Sequence, residues 1–173
     1  MIFLIVSAIL LIMADQLSKY WAVAVLKPLG SLPILPGFIR FFYVENTGAA
    51  FSMFEGMRFV LIGFTSVALL VVAWLLFVKR RTDKLEEIAL LLIFSGGVGN
   101  LIDRVLNGFV VDFFDFQFMT FAVFNVADCC VVVGVGLFAL AFILQEVKEK
   151  KRKAAAAAQE APSAGEANDD ADH

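Results

Sequence analysis

Two aspartates, Asp112 and Asp128, stand sixteen residues apart in a stretch otherwise dominated by phenylalanine and valine. A strand or short re-entrant segment folding back between them would bring them together as a carboxylate pair. Like charges held close in a partly dry site cannot both stay ionised, so such a pair shares one proton and its two titrations separate. The ionised member can take a proton from water, while the protonated member polarises a carbonyl and helps an amine depart. This chemistry hydrolyses a peptide bond without a histidine or a nucleophilic side chain, and the single histidine is the last residue, His173. The same spacing equally suits two interfacial aspartates that cap helices or bond to Arg104.

Other polar residues interrupt runs that are otherwise apolar. Asp15 and Lys19 have i, i+4 spacing, which puts them on one helical face and within pairing distance. They serve either as a buried pair holding helices together or as a direct element of substrate placement. Asn100, Asp103 and Arg104 share a face through i, i+3 and i+4 spacing, just after Ser95-Gly96-Gly97-Val98-Gly99. These glycines have no dinucleotide-binding register; small residues of this kind let two membrane helices approach closely. Arg104 either reaches the headgroups or holds a carboxylate. Asn46-Thr47-Gly48-Ala49-Ala50-Phe51 forms a compact polar turn, in which Asn46 can donate and accept and Gly48 permits close backbone approach. Cys129 and Cys130, being adjacent, are read as buried small hydrophobes rather than a disulfide or metal site.

Such groups matter because the surroundings are so apolar. Of 173 residues, 61% are hydrophobic, 18% are charged and 19 are phenylalanine, with a mean hydropathy of +0.86. Soluble domains average about 45–50% apolar residues. An ionisable group within a span costs at least ~2.5 kcal/mol by insertion scales, so it normally faces the protein interior or water. Four spans are expected, at about Ile2 to Val25, Phe59 to Val78, Leu85 or Ile88 to Ile102, and Phe124 to Leu144. The second has twenty residues without a charge, enough for about 30 Å of helix, the thickness of the hydrocarbon core. The first lacks the basic start and cleavage site of a signal peptide and reads as a retained span.

Lys79, Arg80, Arg81 and Lys84 lie between spans two and three, and Lys148, Lys150, Lys151, Arg152 and Lys153 follow span four. The positive-inside rule places both clusters, and hence both termini, in the cytoplasm. Segments 26–58 and 105–122 then face outward. Pro33, Pro36 and Gly37 precede Phe38–Val44, whose aromatic and β-branched residues favour a small sheet or strand pair on the membrane surface. Residues 1–153 are read as one membrane domain and residues 154–173 as a disordered, Ala-rich acidic tail, with a short helical extension through its alanines open. The net charge of −3 reflects that tail, and the basic residues gather at span ends, which does not suggest a nucleic-acid partner.

Taken together, Asp15-Gln16-Leu17-Ser18-Lys19, Asn46–Phe51, Gly96–Arg104, Val110-Val111-Asp112-Phe113 and Phe124–Asp128, in this order across four spans, resemble the lipoprotein signal peptidase (signal peptidase II) family. The likeness covers about residues 10–145. It implies a bacterial inner-membrane aspartyl endopeptidase with four transmembrane helices and a small periplasmic β-cradle. That enzyme would remove the signal peptide from a diacylglyceryl-modified prolipoprotein immediately before the lipidated cysteine. The family's catalytic pair corresponds to Asp112 and Asp128. Asp15, Asn46, Asn100, Arg104 and Asn125 match positions that line or support the site, and Lys19, Gly48 and Asp103 fall in the same motifs. Expected partners are the prolipoprotein and membrane phospholipid, with the chain acting as a monomer and with no cofactor or metal. A small transporter using Asp15, Lys19 and Asp103, a helper protein with purely structural acids, and a metal-dependent hydrolase are the competing classes.

Overall fold

The computed structural model describes residues 2–48, 54–79 and 83–160, with side chains described as far as Ala156. Ala49 to Phe51 of the expected polar turn, Arg80 and Arg81 of the expected basic loop, and residues 161–173 of the expected tail lie outside the described residues.

Four stretches are long and apolar enough to cross a membrane: Ile2–Leu29, Arg58–Val78, Lys84–Leu106 and Val126–Ala156. The first is helix α1 (Ile2–Trp21), continued by a π-helical segment Ala22–Leu26 and a last turn α2 (Lys27–Leu29). The second is α3 (Arg58–Ala73) with a π-helical end, Trp74–Val78, and the third is α4 (Lys84–Leu106). The fourth is α5 (Val126–Glu160). Helix α4 is the most enclosed span and packs against α1, α3 and above all α5.

Three boundaries differ from expectation. Helix α4 runs four residues past Ile102, so Asp103 and Arg104 are helical. Its start is set by Asp83, whose side chain accepts the Leu85 N–H at 2.8 Å, the capping interaction that ends a run of orphan donors. The first span extends to Leu29, because apolar residues and a proline tolerated at the start of α2 let the helical path continue. Helix α5 runs past Leu144 to Glu160, taking the helical extension left open through residues 154–160, as their alanine content favours.

The strands form one antiparallel sheet in the order β1-β2-β3, from β1 (Ser31–Leu35), β2 (Ile39–Asn46) and β3 (Val110–Phe116). Pro36 and Gly37 make the β1–β2 turn, closed by Phe38 N–H to the Leu35 carbonyl at 2.9 Å. Gly37 has φ 79°, the left-handed conformation that favours glycine at this place in a turn. Pro33 lies in β1, the edge strand, where a missing N–H is tolerated.

Strands β1 and β2 connect α1 to α3, and β3 connects α4 to α5. Their union in one sheet places both connections at the same end of the bundle. The expected small sheet or strand pair is a three-stranded sheet, whose third member carries Asp112. It is fastened to the bundle by a core of Ala22, Leu26, Val111 and Phe113, with Trp21 and Phe41 packed against it. The rings of Trp21 and Phe41 meet edge to face at 5.2 Å. A second core, Ala8, Leu76, Leu90 and Leu91, lies among the helices.

Candidate active site

Strand register delivers the first aspartate. Val44 pairs with Asp112 and Asn46 with Val110, so Asn46 is a diagonal same-face neighbour of Asp112. Its amide nitrogen donates to Asp112 Oδ2 at 2.9 Å. The Asn46 oxygen accepts the Gly48 N–H at 3.0 Å, a local turn that fixes which end of the amide faces the strand.

The second aspartate is delivered by the start of α5. Asn125 precedes the helix and accepts the Asp128 N–H at 2.9 Å, while Asp128 Oδ2 accepts the Asn125 N–H at 3.1 Å. This reciprocal pair is a capping box. The capping reading of Asp128 therefore holds alongside any chemical one. Asp15 of α1 adds to it, accepting the Ala127 N–H at 2.9 Å, so the first turn of α5 is anchored to another span.

Asn125 joins the two aspartates. It is fully buried, and its side-chain nitrogen donates to Asp112 Oδ1 at 2.6 Å, to Asn100 Oδ1 at 3.1 Å and to the Val111 carbonyl at 3.3 Å. Asn100 in turn donates to Asp128 Oδ1 at 2.7 Å. Asp112 and Asp128 line the same cavity of about 530 Å³ with Asn46, Asn100 and Arg104, and the rest of its wall is mainly apolar, including Phe116, Phe121 and Val132. Burial pushes the Asp112 carboxyl up to about 7. The hydrogen bond from Asn46 pulls against that rise, the Asp128 charge adds to it, and Asn125 and the Lys19 charge pull down.

Beneath the cavity is a buried charge cluster. Lys19 lies 2.9 Å from Asp15 and 3.0 Å from Asp103 and donates to Asn100 Oδ1 at 2.9 Å. The Asp15–Lys19 pairing expected from spacing is present, and Asp15 reaches the α5 backbone without lining the cavity. Asp103 Oδ2 accepts the Val111 N–H at 3.2 Å, which ties α4 to β3 beside Asp112. The glycines allow this: a Cβ on Gly99 would collide with the Asp15 carboxylate, and one on Gly96 with the Ala127 carbonyl.

Among the described residues, Arg104 forms no ion pair with a carboxylate. Its guanidinium donates to the carbonyls of Gly48 at 2.9 Å and Asn100 at 3.4 Å, and its Nε is buried without a hydrogen bond among the described residues. It thereby holds the Asn46–Gly48 turn over the cavity. The cysteines also differ from expectation. Cys129 is exposed and lines the cavity, while Cys130 is half-buried, because α5 turns one face away from the bundle.

Two contributors had escaped the sequence reading. Gln16 donates to Asp15 at 3.2 Å, to Asp103 at 3.1 Å and to the Gly99 carbonyl at 3.2 Å; its signal was a polar amide inside an apolar span. Arg58 donates to the carbonyls of Arg104 at 2.8 Å and Val105 at 2.7 Å, binding the end of α4. An arginine flanking a span gives no such hint, because membrane anchoring is the common role there.

Residues 7–144 match the model of the signal peptidase (SPase) II family. The chain is 45% identical to the lipoprotein signal peptidase of Symbiobacterium thermophilum over 150 residues, covering 83% of this chain and 96% of that one. It is 41% identical to the lipoprotein signal peptidase of a Nostoc species over 140 residues, covering 79% and 86%. A solved structure of a bacterial membrane enzyme superimposes with a TM-score of 0.78 at 30% identity, covering 86% of this chain and 91% of that one. With a family match spanning most of its length and a polar site at one end of four membrane-crossing helices, this chain belongs to the signal peptidase II family and is a membrane peptidase.

Proposed function

We propose that this peptidase removes the signal peptide from diacylglyceryl-modified prolipoproteins, hydrolysing the bond immediately before the lipidated cysteine, with Asp112 and Asp128 as its catalytic pair. The observation that carries this reading is their convergence on one cavity, joined through Asn125. Asp112, raised to about 7, carries the shared proton below that pH and donates it to the scissile carbonyl oxygen. Asp128 takes a proton from the attacking water. After addition, Asp128 passes the proton it gained to the departing amine, the C–N bond breaks, and one hydroxyl of the tetrahedral intermediate returns its proton to Asp112, so the pair again shares one proton. Asn46, Asn100 and Asn125 keep N–H donors on the carboxylate oxygens, and Gly48 and Arg104 shape the rim. Asp15, Lys19 and Asp103 support the array from below.

The apolar wall suits a lipidated substrate, which supplies affinity through buried acyl chains at ~0.8 kcal/mol per CH2. The enzyme acts as a monomer in the bacterial inner membrane, with phospholipid around its spans. Its termini are cytoplasmic beside the basic clusters, and its site is near the periplasmic face, where the precursor's signal helix ends. The deciding assay measures cleavage of purified diacylglyceryl-modified precursor by Asp112→Asn and by Asp128→Asn. Each variant is expected to insert and fold but lose turnover at least ~100-fold; ~10% of parental turnover in either one removes the pair.

A further inference from the structure

The ammonium of Lys19 has three N–H donors, and three acceptors lie around it: Asp15 Oδ2 at 2.9 Å, Asp103 Oδ2 at 3.0 Å and Asn100 Oδ1 at 2.9 Å. Its hydrogen-bonding capacity is therefore filled. The side chain is only 3% exposed and is not part of the cavity wall, so it has neither a free donor nor a route to substrate. What it can do is decide how the Asn100 amide is turned.

Asn100 has one oxygen and one NH2 group, and either could face Asp128. Its oxygen receives Lys19 and Asn125 Nδ2, which leaves its NH2 for Asp128 Oδ1 at 2.7 Å. The Asn125 NH2 has two hydrogens for three acceptors, Asp112 Oδ1, Asn100 Oδ1 and the Val111 carbonyl, and the shortest of these contacts is to Asp112. Asn125 itself is oriented by backbone, because its oxygen accepts the Asp128 N–H. Among the described residues, no backbone group orients the Asn100 side chain in this way. A reversed Asn100 would set NH2 against an ammonium and oxygen against a carboxylate, and the charged neighbour makes that arrangement the costlier one.

We infer that Lys19 is a positioning residue of the peptidase: by donating to Asn100 Oδ1 it keeps the Asn100 NH2 on Asp128 and leaves the Asn125 NH2 for Asp112. This rests on the reading of Asp112 and Asp128 as the catalytic pair. The lysine is held for the task by Asp15 and Asp103, the carboxylates that face it from α1 and α4. Asp112 is faced by Asn46, Asn125 and Asp128, with Arg104 on the same cavity wall.

The test compares Lys19→Met with Lys19→Gln, which both remove the charge but differ in retaining an N–H donor for Asn100. In steady-state cleavage of lipidated precursor at pH 6, Lys19→Met is expected to lower kcat about 10- to 100-fold, as loss of a group that orients a reacting residue does. KM should be unchanged, and Lys19→Gln should recover most of the rate. Equal kcat in the two variants, or an effect confined to KM, overturns the proposal.

If Lys19→Met leaves too much buried negative charge to fold, Lys19→Met/Asp103→Asn restores the net charge of the cluster and carries the same expected loss. Asp112→Asn, assayed in parallel, reports on the pair itself. Retained turnover there removes the aspartate pair, whereas lost turnover there with equal Met and Gln rates removes only the role of Lys19.

Discussion

The side-chain nitrogen of Asn125 lies 2.6 Å from Asp112 Oδ1, although Asn125 stands just ahead of α5 and Asp112 lies in β3. The same asparagine exchanges two hydrogen bonds with Asp128. One buried amide thus sets the separation of the two carboxylates and caps the helix that carries one of them. Asn125→Ala should lower kcat at least ~100-fold and reduce stability by about 1–3 kcal/mol, the cost of leaving buried partners unsatisfied. Activity and thermal unfolding in detergent, measured on one preparation, check both; parental turnover would show that the amide is only a cap.

Asp112 predicts a pH dependence with a definite sign. Its carboxyl titrates near 7 in the folded protein and near 4 when unfolded. Below about 7 it keeps the proton the reaction needs, so turnover should decline as pH rises through that value. Stability follows the same direction: the folded state binds the extra proton between about 4 and 7, so stability is fully present below 4 and falls toward 7, by on the order of 4 kcal/mol. Asp112→Asn should flatten the fall. A melting profile with equal slope in parent and variant would contradict this.

Gly99→Ala should be damaging despite its size. The added methyl meets the Asp15 carboxylate, which cannot withdraw without releasing Lys19 and the Ala127 N–H. A loss of about 1–3 kcal/mol, typical of overpacking, together with lower kcat, is expected. Gly136→Ala, where nothing lies within 4 Å of the new atom, is the control and should match the parent in both measurements.

Arg104→Ala should abolish most turnover while leaving the helices inserted. Its contact to the Gly48 carbonyl ties α4 to the turn that carries Asn46, so the expected defect is a misplaced rim rather than a lost proton. Arg104→Lys, with a point charge in place of a planar fork, should recover only part of the rate. Normal turnover in Arg104→Ala would exclude the arginine from the site.

Much of this protein was legible in the one-dimensional chain because the membrane simplifies the problem. An apolar run of about twenty residues has few ways to satisfy its backbone other than a helix, so Phe59 to Val78 had to span and basic flanks had to mark its ends. Polar groups inside such runs are costly, which makes Asp15, Lys19, Asn100, Asp103 and Asp128 conspicuous in the sequence. The Phe38–Val44 run likewise declared a strand. Asp112 was recognisable as a candidate, but not its placement in β3, since Phe109–Phe116 carries no turn or cap that distinguishes strand from re-entrant loop.

Tertiary structure decided which polar group meets which. The pairing of Val44 with Asp112 is a long-range register, and no local pattern specifies it. The partners of Arg104 were invisible for the same reason, because backbone carbonyls are identical along a sequence and only folding selects those of Gly48 and Asn100. Residue type and spacing determined that carboxylates and amides would gather at one end of four helices. Their order of contact, Lys19 to Asn100 to Asp128 and Asn125 to Asp112, arose only when helix packing and strand register brought distant parts of the chain within hydrogen-bond distance.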